Sequence, residues 1–140
     1  MKKLAVLFIL ALGFQFAMAQ EEMEPQKWEN TTWQIIEVIK FKSGHMDDAK
    51  EIIKKYEAAA DPDDMPEMYW FVFGEWDLMF MWEVPDGPSY LEWKRSPRGI
   101  KWYKNFLEQQ GSKEEAEKVM EAYSETVQDS KSFLTRQTED

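Results

Sequence analysis

An α+β fold is predicted: one four-stranded antiparallel sheet with helices on one face. Three observations carry it. Strand-like and helix-like patterns follow each other in the order strand, helix, strand, strand, helical region, strand. Capping and breaking residues separate those patterns. The stretch 69–84, YWFVFGEWDLMFMWEV, has the composition of a β-hairpin and is apolar on both faces.

Taken in order, residues 1–19 are expected to be a signal peptide. Lys2 and Lys3 form a charged start, an apolar run follows, and Ala17-Met18-Ala19 fits the small-x-small cleavage pattern with the cut before Gln20. The run is shorter than the roughly 20 apolar residues that span a bilayer. The mature chain is expected to be secreted or periplasmic, with no membrane span. Residues 20–31 read as a flexible acidic leader and 32–137 as one domain of ordinary size. WQIIEVIKFK at 33–42 is the first strand, ended by Ser43-Gly44. A helix over 47–60 follows, with Met46, Ala49, Ile52, Ile53 and Tyr56 on one stripe. DPDDMP at 61–66 breaks it with two prolines.

The hairpin comes next, turning at Gly74-Glu75-Trp76-Asp77. After the loop PDGP, Ser89 and Glu92 make a capping-box pattern that opens a short helix. Ser96-Pro97 starts the next helix, with Ser as N-cap and Pro at its first position. That helix carries Ile100, Tyr103, Phe106 and Leu107 and stops near Gly111. Ser112 and Glu115 form another capping box, before a stripe of Ala116, Val119, Met120, Tyr123 and Val127. A last strand is expected at 132–136, with a continuation of the helix as the alternative. A strand-helix-strand unit followed by a hairpin strand, helices and a strand is the ferredoxin-like order, with the first and third strands central and antiparallel.

Simple dimensions then constrain assembly. Four strands about 4.8 Å apart make a sheet about 19 Å wide. Two helices, each about 10 Å across, cover one face of it. Each large apolar side chain left in water on the other face forfeits roughly 1.5–3 kcal/mol. A second copy of the sheet, packed face to face, would cover them, and the segment 89–95 could cover a part.

Composition excludes some classes of partner and chemistry. The chain has 27 acidic and 17 basic residues and a net charge of -10, which argues against nucleic acid and anionic lipid. It has no cysteine, so export brings no disulfide. No glycine-rich phosphate loop and no G-x-S-x-G nucleophile motif occurs. His45-x-Asp47-Asp48 is better explained by a helix start than by a metal, and the acids at 61–67 by a solvated charge run. No metal and no cofactor is expected.

WQIIEVIKFKSG, FGEWDLMFMWEV and EWxxSPxxxxWYxxF together resemble the dimeric α/β-barrel superfamily, and within it the NIPSNAP-like and antibiotic-monooxygenase-like small domains. The resemblance covers about 34–136. It implies two ferredoxin-like subunits with their sheets together and a pocket between sheet and helices in each. Members include cofactor-free monooxygenases, haem-degrading enzymes and isomerases. The Gly74 to Asp77 turn is the most specific shared element and marks the fold. Haem-degrading members use a helix histidine, whereas the single histidine here, His45, precedes the first helix, so that site does not carry over.

Among individual residues, Glu37 stands mid-strand among Ile35, Ile36, Val38 and Ile39. Facing an interior, it would be desolvated and could serve as a general base; its alternatives are a wet cavity or a basic partner. Trp70, Trp76, Met79, Trp82 and Trp93 are the candidate ligand-binding residues. Trp76 is expected to rim a pocket or seat against a partner subunit; the other tryptophans compete with a plain core role. Met79, Met81 and Met120 would soften the core and suit an adaptable apolar pocket. Asp77 is expected to accept turn amides and Glu83 to be exposed.

Three functions follow as expectations. The first is a homodimer binding a small apolar or aromatic molecule. The second is a cofactor-independent monooxygenase or isomerase with Glu37 as base. The third is an envelope protein-interaction module.

Overall fold

A computed structural model describes residues 25–138. The expected signal peptide lies outside the described residues. Of the expected leader, 25–30 are described and hold no regular structure before the first strand. The elements are β1 Thr31–Phe41, α1 Met46–Ala59, β2 Glu67–Trp70, β3 Leu78–Glu83, α2 Pro97–Gln110, α3 Lys113–Thr126 and β4 Val127–Thr138. Short 3-10 segments lie at Pro62–Asp64 and Gly87–Glu92. Among the described residues the result is an α+β fold: one four-stranded antiparallel sheet and three α-helices.

The strand order is β2-β3-β1-β4, so β1 and β3 are central and antiparallel, as expected. Alternation along each strand divides the sheet into two faces. Ile39 and Phe41 of β1 and Leu78 of β3 are buried with Ala49 and Ile53 of α1. Glu37 and Ile35 lie on that same face, opposite Phe80 and Trp82 of β3. The other face carries Ile36 and Val38, with Met79 and Met81 opposite them. Among the described residues no helix covers that second face.

The helices start and stop where their caps dictate. Ser96 Oγ accepts from the Gly99 amide at 3.1 Å, with Pro97 at the first position. Gly111 takes φ +83 and ends α2, a conformation that a Cβ would oppose. Ser112 Oγ accepts from the Glu115 amide at 3.1 Å. A second cluster, Ala59, Phe106 and Ala116, joins the three helices to one another.

Several expectations need correction. The first hairpin strand is only Glu67–Trp70, and Phe71, Val72 and Phe73 leave the sheet with Val72 and Phe73 about 96% and 90% exposed. The Asp77 carbonyl accepts from Phe71 N–H in register with the β2–β3 ladder, and its amide donates to the Ile39 carbonyl, both at 2.9 Å; past these bonds the chain leaves the sheet. Asp77 also accepts a hydrogen bond from beyond its own turn. Its Oδ2 takes the Phe41 amide at 2.8 Å, beside the register shift between Lys40 and Phe41.

The Ser89 capping box does not form. The 3-10 segment starts at Gly87, its N-cap is Asp86, and no side chain caps it. Gly87 has φ +56, and a Cβ there would stand 3.0 Å from the Trp33 ring. The segment therefore packs at the helix-side face of β1, and the open face stays uncovered. Val127 starts a strand instead of closing α3, and β4 runs for 12 residues where five were expected. Long pairing with β1, from Thr31↔Thr138 to Phe41↔Val127, overrides its polar sequence.

Two substitutions test this packing. Phe106 is fully buried, so Phe106→Ala should cost about 3–5 kcal/mol in denaturant unfolding. Asp77→Ala orphans the Phe41 amide and should cost about 1–3 kcal/mol. A loss under about 0.5 kcal/mol would show that the Asp77 contact does not hold the hairpin to β1.

Candidate functional site

A cavity of about 420 Å³ lies between the sheet and the helices. Alternation on β1 and β3 supplies its floor: Glu37, with Phe80 directly opposite and Trp82 two residues on. The helical stripe of α1 supplies Ile53 and Tyr56, and α2 supplies Trp102 and Asn105. Tyr90 of the 3-10 segment completes the aromatic lining.

The aromatic wall is held by the seam between α1 and α2. Trp102 Nε1 donates to the Tyr56 carbonyl and Asn105 Nδ2 to the Ala59 carbonyl, both at 3.1 Å. Gln109 Nε2 donates to the Ala58 carbonyl. These are carbonyls that the end of a helix leaves without intrahelical partners. The Tyr56 ring meets Trp102 and Phe106 edge-on at 5.3 Å and Tyr123 of α3 at 5.2 Å. Trp102 stacks on Phe106 at 5.1 Å.

Two ion pairs tie the 61–66 loop to α2 at the cavity. Arg98 Nη2 lies 2.5 Å from Asp64 Oδ1, and Arg98 Nη1 donates to the Glu83 carbonyl at 3.0 Å. Lys101 pairs with Asp61. Their hydrogen bond raises the Lys101 pKa and lowers that of Asp61. Two carboxylates of the expected solvated charge run are thus engaged with α2. A second cavity, of about 380 Å³, shares Asp64, Met65, Trp82 and Arg98 with the first and also touches Gln34, Glu67 and Met81.

Burial raises the Glu37 carboxyl above its ordinary value of 4.5. Burial also pushes the Tyr56 hydroxyl up to about 12 and raises that of Tyr123, where the charge of Glu37 adds to the effect. Both tyrosines are neutral at pH 7 and can donate. Among the described residues, Glu37 has no hydrogen-bond or ion-pair partner. An unpaired carboxylate on an apolar floor can accept a proton or hold a cationic group.

Of the candidate residues, the cavity brings together Glu37 and Trp82. Trp70 packs against Phe41 at 6.2 Å, with the Lys50 ammonium 5.2 Å from its ring. Trp76 is half-buried in the hairpin loop under Lys131, at 5.0 Å. Met79 is on the open sheet face, opposite Val38 and Tyr69. Trp93 is exposed just past the 3-10 segment. Tyr56, Trp102, Asn105, Arg98 and Lys101 were not singled out as site residues by the sequence. A signal for part of them existed: Trp102, Asn105 and Gln109 follow an i, i+3, i+7 spacing, three donors on one helical face. His45 is an exposed turn residue with Nδ1 3.6 Å from Asp48.

No family model matches the chain, and no curated protein or solved structure matches it.

The raised Glu37 pKa implies that its ionisation opposes folding. Stability from this group is fully present below about pH 4.5, where it is neutral in both states, and is lost as pH rises through the folded value. Glu37→Gln should therefore raise Tm at pH 7, and the gain should shrink to nothing towards pH 4. An equal gain at both pH values would show that ionisation is not its source.

Proposed function

We propose that this chain is a ferredoxin-like subunit of a dimeric α/β barrel, and that it binds a small apolar or aromatic molecule in the cavity between sheet and helices. The observation that carries the binding reading is the cavity itself. Its size falls within the roughly 300–1,000 Å³ of small-molecule sites, and Tyr56, Phe80, Trp82, Tyr90 and Trp102 line it beside a few polar groups. The leader pattern at 1–19 supports export, with the mature chain secreted or periplasmic. Among the described residues no helix is long and apolar enough to cross a membrane.

The dimer reading rests on the open sheet face. Ile36, Val38, Met79, Met81, Tyr69 and Phe133 share it, and Tyr69 and Phe133 are about half exposed. Lys40 and Lys131 stand towards one end of that face with Asp129 beside Lys40, a net positive end, and Glu67 and Glu83 stand towards the other. A second copy related by a two-fold axis across the strands sets acids against bases while covering the apolar centre. A different envelope protein docking on this face is the competing outcome.

A second reading has one observation in its favour: Glu37 faces the cavity with its pKa raised. That placement suits a general base in a cofactor-independent monooxygenase or isomerase. Loss of turnover in Glu37→Gln, for any substrate found, is its expected signature.

Light scattering at micromolar concentration should give a dimer, and Met81→Lys on the open face should give a monomer. A wild-type monomer removes the barrel reading. The neutral apolar dye Nile red should bind with enhanced fluorescence, and Ala60→Phe, which places a ring in the cavity, should abolish that. Dye binding unchanged by Ala60→Phe would place the site elsewhere.

A further inference from the structure

We propose that the cavity selects a positively charged ligand: an aromatic or apolar amine whose ammonium group sits against the Glu37 carboxylate. This rests on the reading that the cavity binds a small apolar or aromatic molecule, and it names the class.

The charges around the cavity are unequal once their partners are assigned. Glu37, Glu57, Asp61 and Asp64 line it, and so do Arg98 and Lys101. Both bases are already engaged, Arg98 by Asp64 and the Glu83 carbonyl, and Lys101 by Asp61. Those pairs leave Glu37 with no basic partner and Glu57 with no ion pair among the described residues, although Lys54 feels the charge of Glu57. An entering carboxylate would meet like charge and would have to break an existing ion pair to find a cation. An entering ammonium finds an unpaired carboxylate on the floor.

Two further features point the same way. Tyr56, Phe80, Trp82, Tyr90 and Trp102 surround the space, and the negative face of an aromatic ring attracts a cation within about 6 Å. Tyr56, Glu57 and Ala60 also place the carboxyl end of α1 on the cavity wall. The carbonyls there are taken by donors of α2 and by the Ala60 amide, and the last turn of α1 holds no basic residue, so that turn adds no cation to the wall. The apolar floor lowers the local dielectric, so a single unpaired carboxylate discriminates by charge more strongly than it would at the surface.

The test is isothermal titration calorimetry of the purified protein with three probes that share one ring and one tether length: tryptamine, tryptophol and indole-3-propionate. Tryptamine should bind at least about tenfold tighter than tryptophol, a difference of about 1.4 kcal/mol, with indole-3-propionate the weakest. Glu37→Gln should remove the tenfold preference and bring tryptamine down to the level of tryptophol. Equal binding of tryptamine and tryptophol, or tryptamine affinity that survives Glu37→Gln, would overturn the proposal while leaving the apolar-binding reading in place. Failure of all three probes, with Nile red still bound and blocked by Ala60→Phe, would also overturn it. Failure of Nile red as well would remove both readings.

Discussion

The seam between α1 and α2 is the constraint on which the rest of this structure depends. The end of α1 has carbonyls that no residue of its own helix can satisfy. Three donors of α2, Trp102, Asn105 and Gln109, take three of them. The Trp102 and Asn105 bonds are partly buried, where a carbonyl left unpaired would cost on the order of 1–3 kcal/mol, and they hold the two helices in register. Trp102 meets two needs at once. Its indole N–H serves the seam, and its ring forms a cavity wall against Tyr56. The position of the cavity follows from how α1 is capped.

Glu37 is the counterpart of that order. The sheet presents a carboxylate where packing alone would choose an apolar residue. Its ionisation works against folding, because burial removes water without supplying a partner. A position that lowers stability and is solved by no local contact is the kind that function retains. Arg98 and Lys101 stand near, yet Asp64 and Asp61 engage them. The carboxylate is thus unpaired although bases line the same cavity.

Much of the architecture was legible in the sequence. Ser96-Pro97, Gly111 and Ser112 place helix ends through local chemistry, and each does so in the fold. Periodicity placed Ala49 and Ile53 on the buried side of α1. The hairpin was misjudged because strand propensity is a statement about a surface that must be supplied by neighbours. Val72 and Phe73 have that propensity, but pairing with β3 ends at Phe71 and Asp77, and beyond it both side chains stand in solvent. β4 shows the reverse: QDSKS has little strand character, yet it pairs along β1. The site was half legible. Glu37 and Trp82 stand out as a charge within, and a large ring at the end of, an apolar strand. Arg98 and Lys101 do not, because a base on a helix says nothing of the loop it will meet.

What the sequence determined by itself was the order of elements, the helix ends and the two-sided apolar character of the central strands. All of these depend on residues within a few positions of one another, where spacing alone dictates contact. Only the tertiary structure decided which face the helices cover, where the aromatic walls converge and which charges are left unpaired. Those outcomes join residues 40 to 65 positions apart, such as Asp61 with Lys101 and Glu37 with Trp102. Such distances are closed by packing, and no local pattern encodes them.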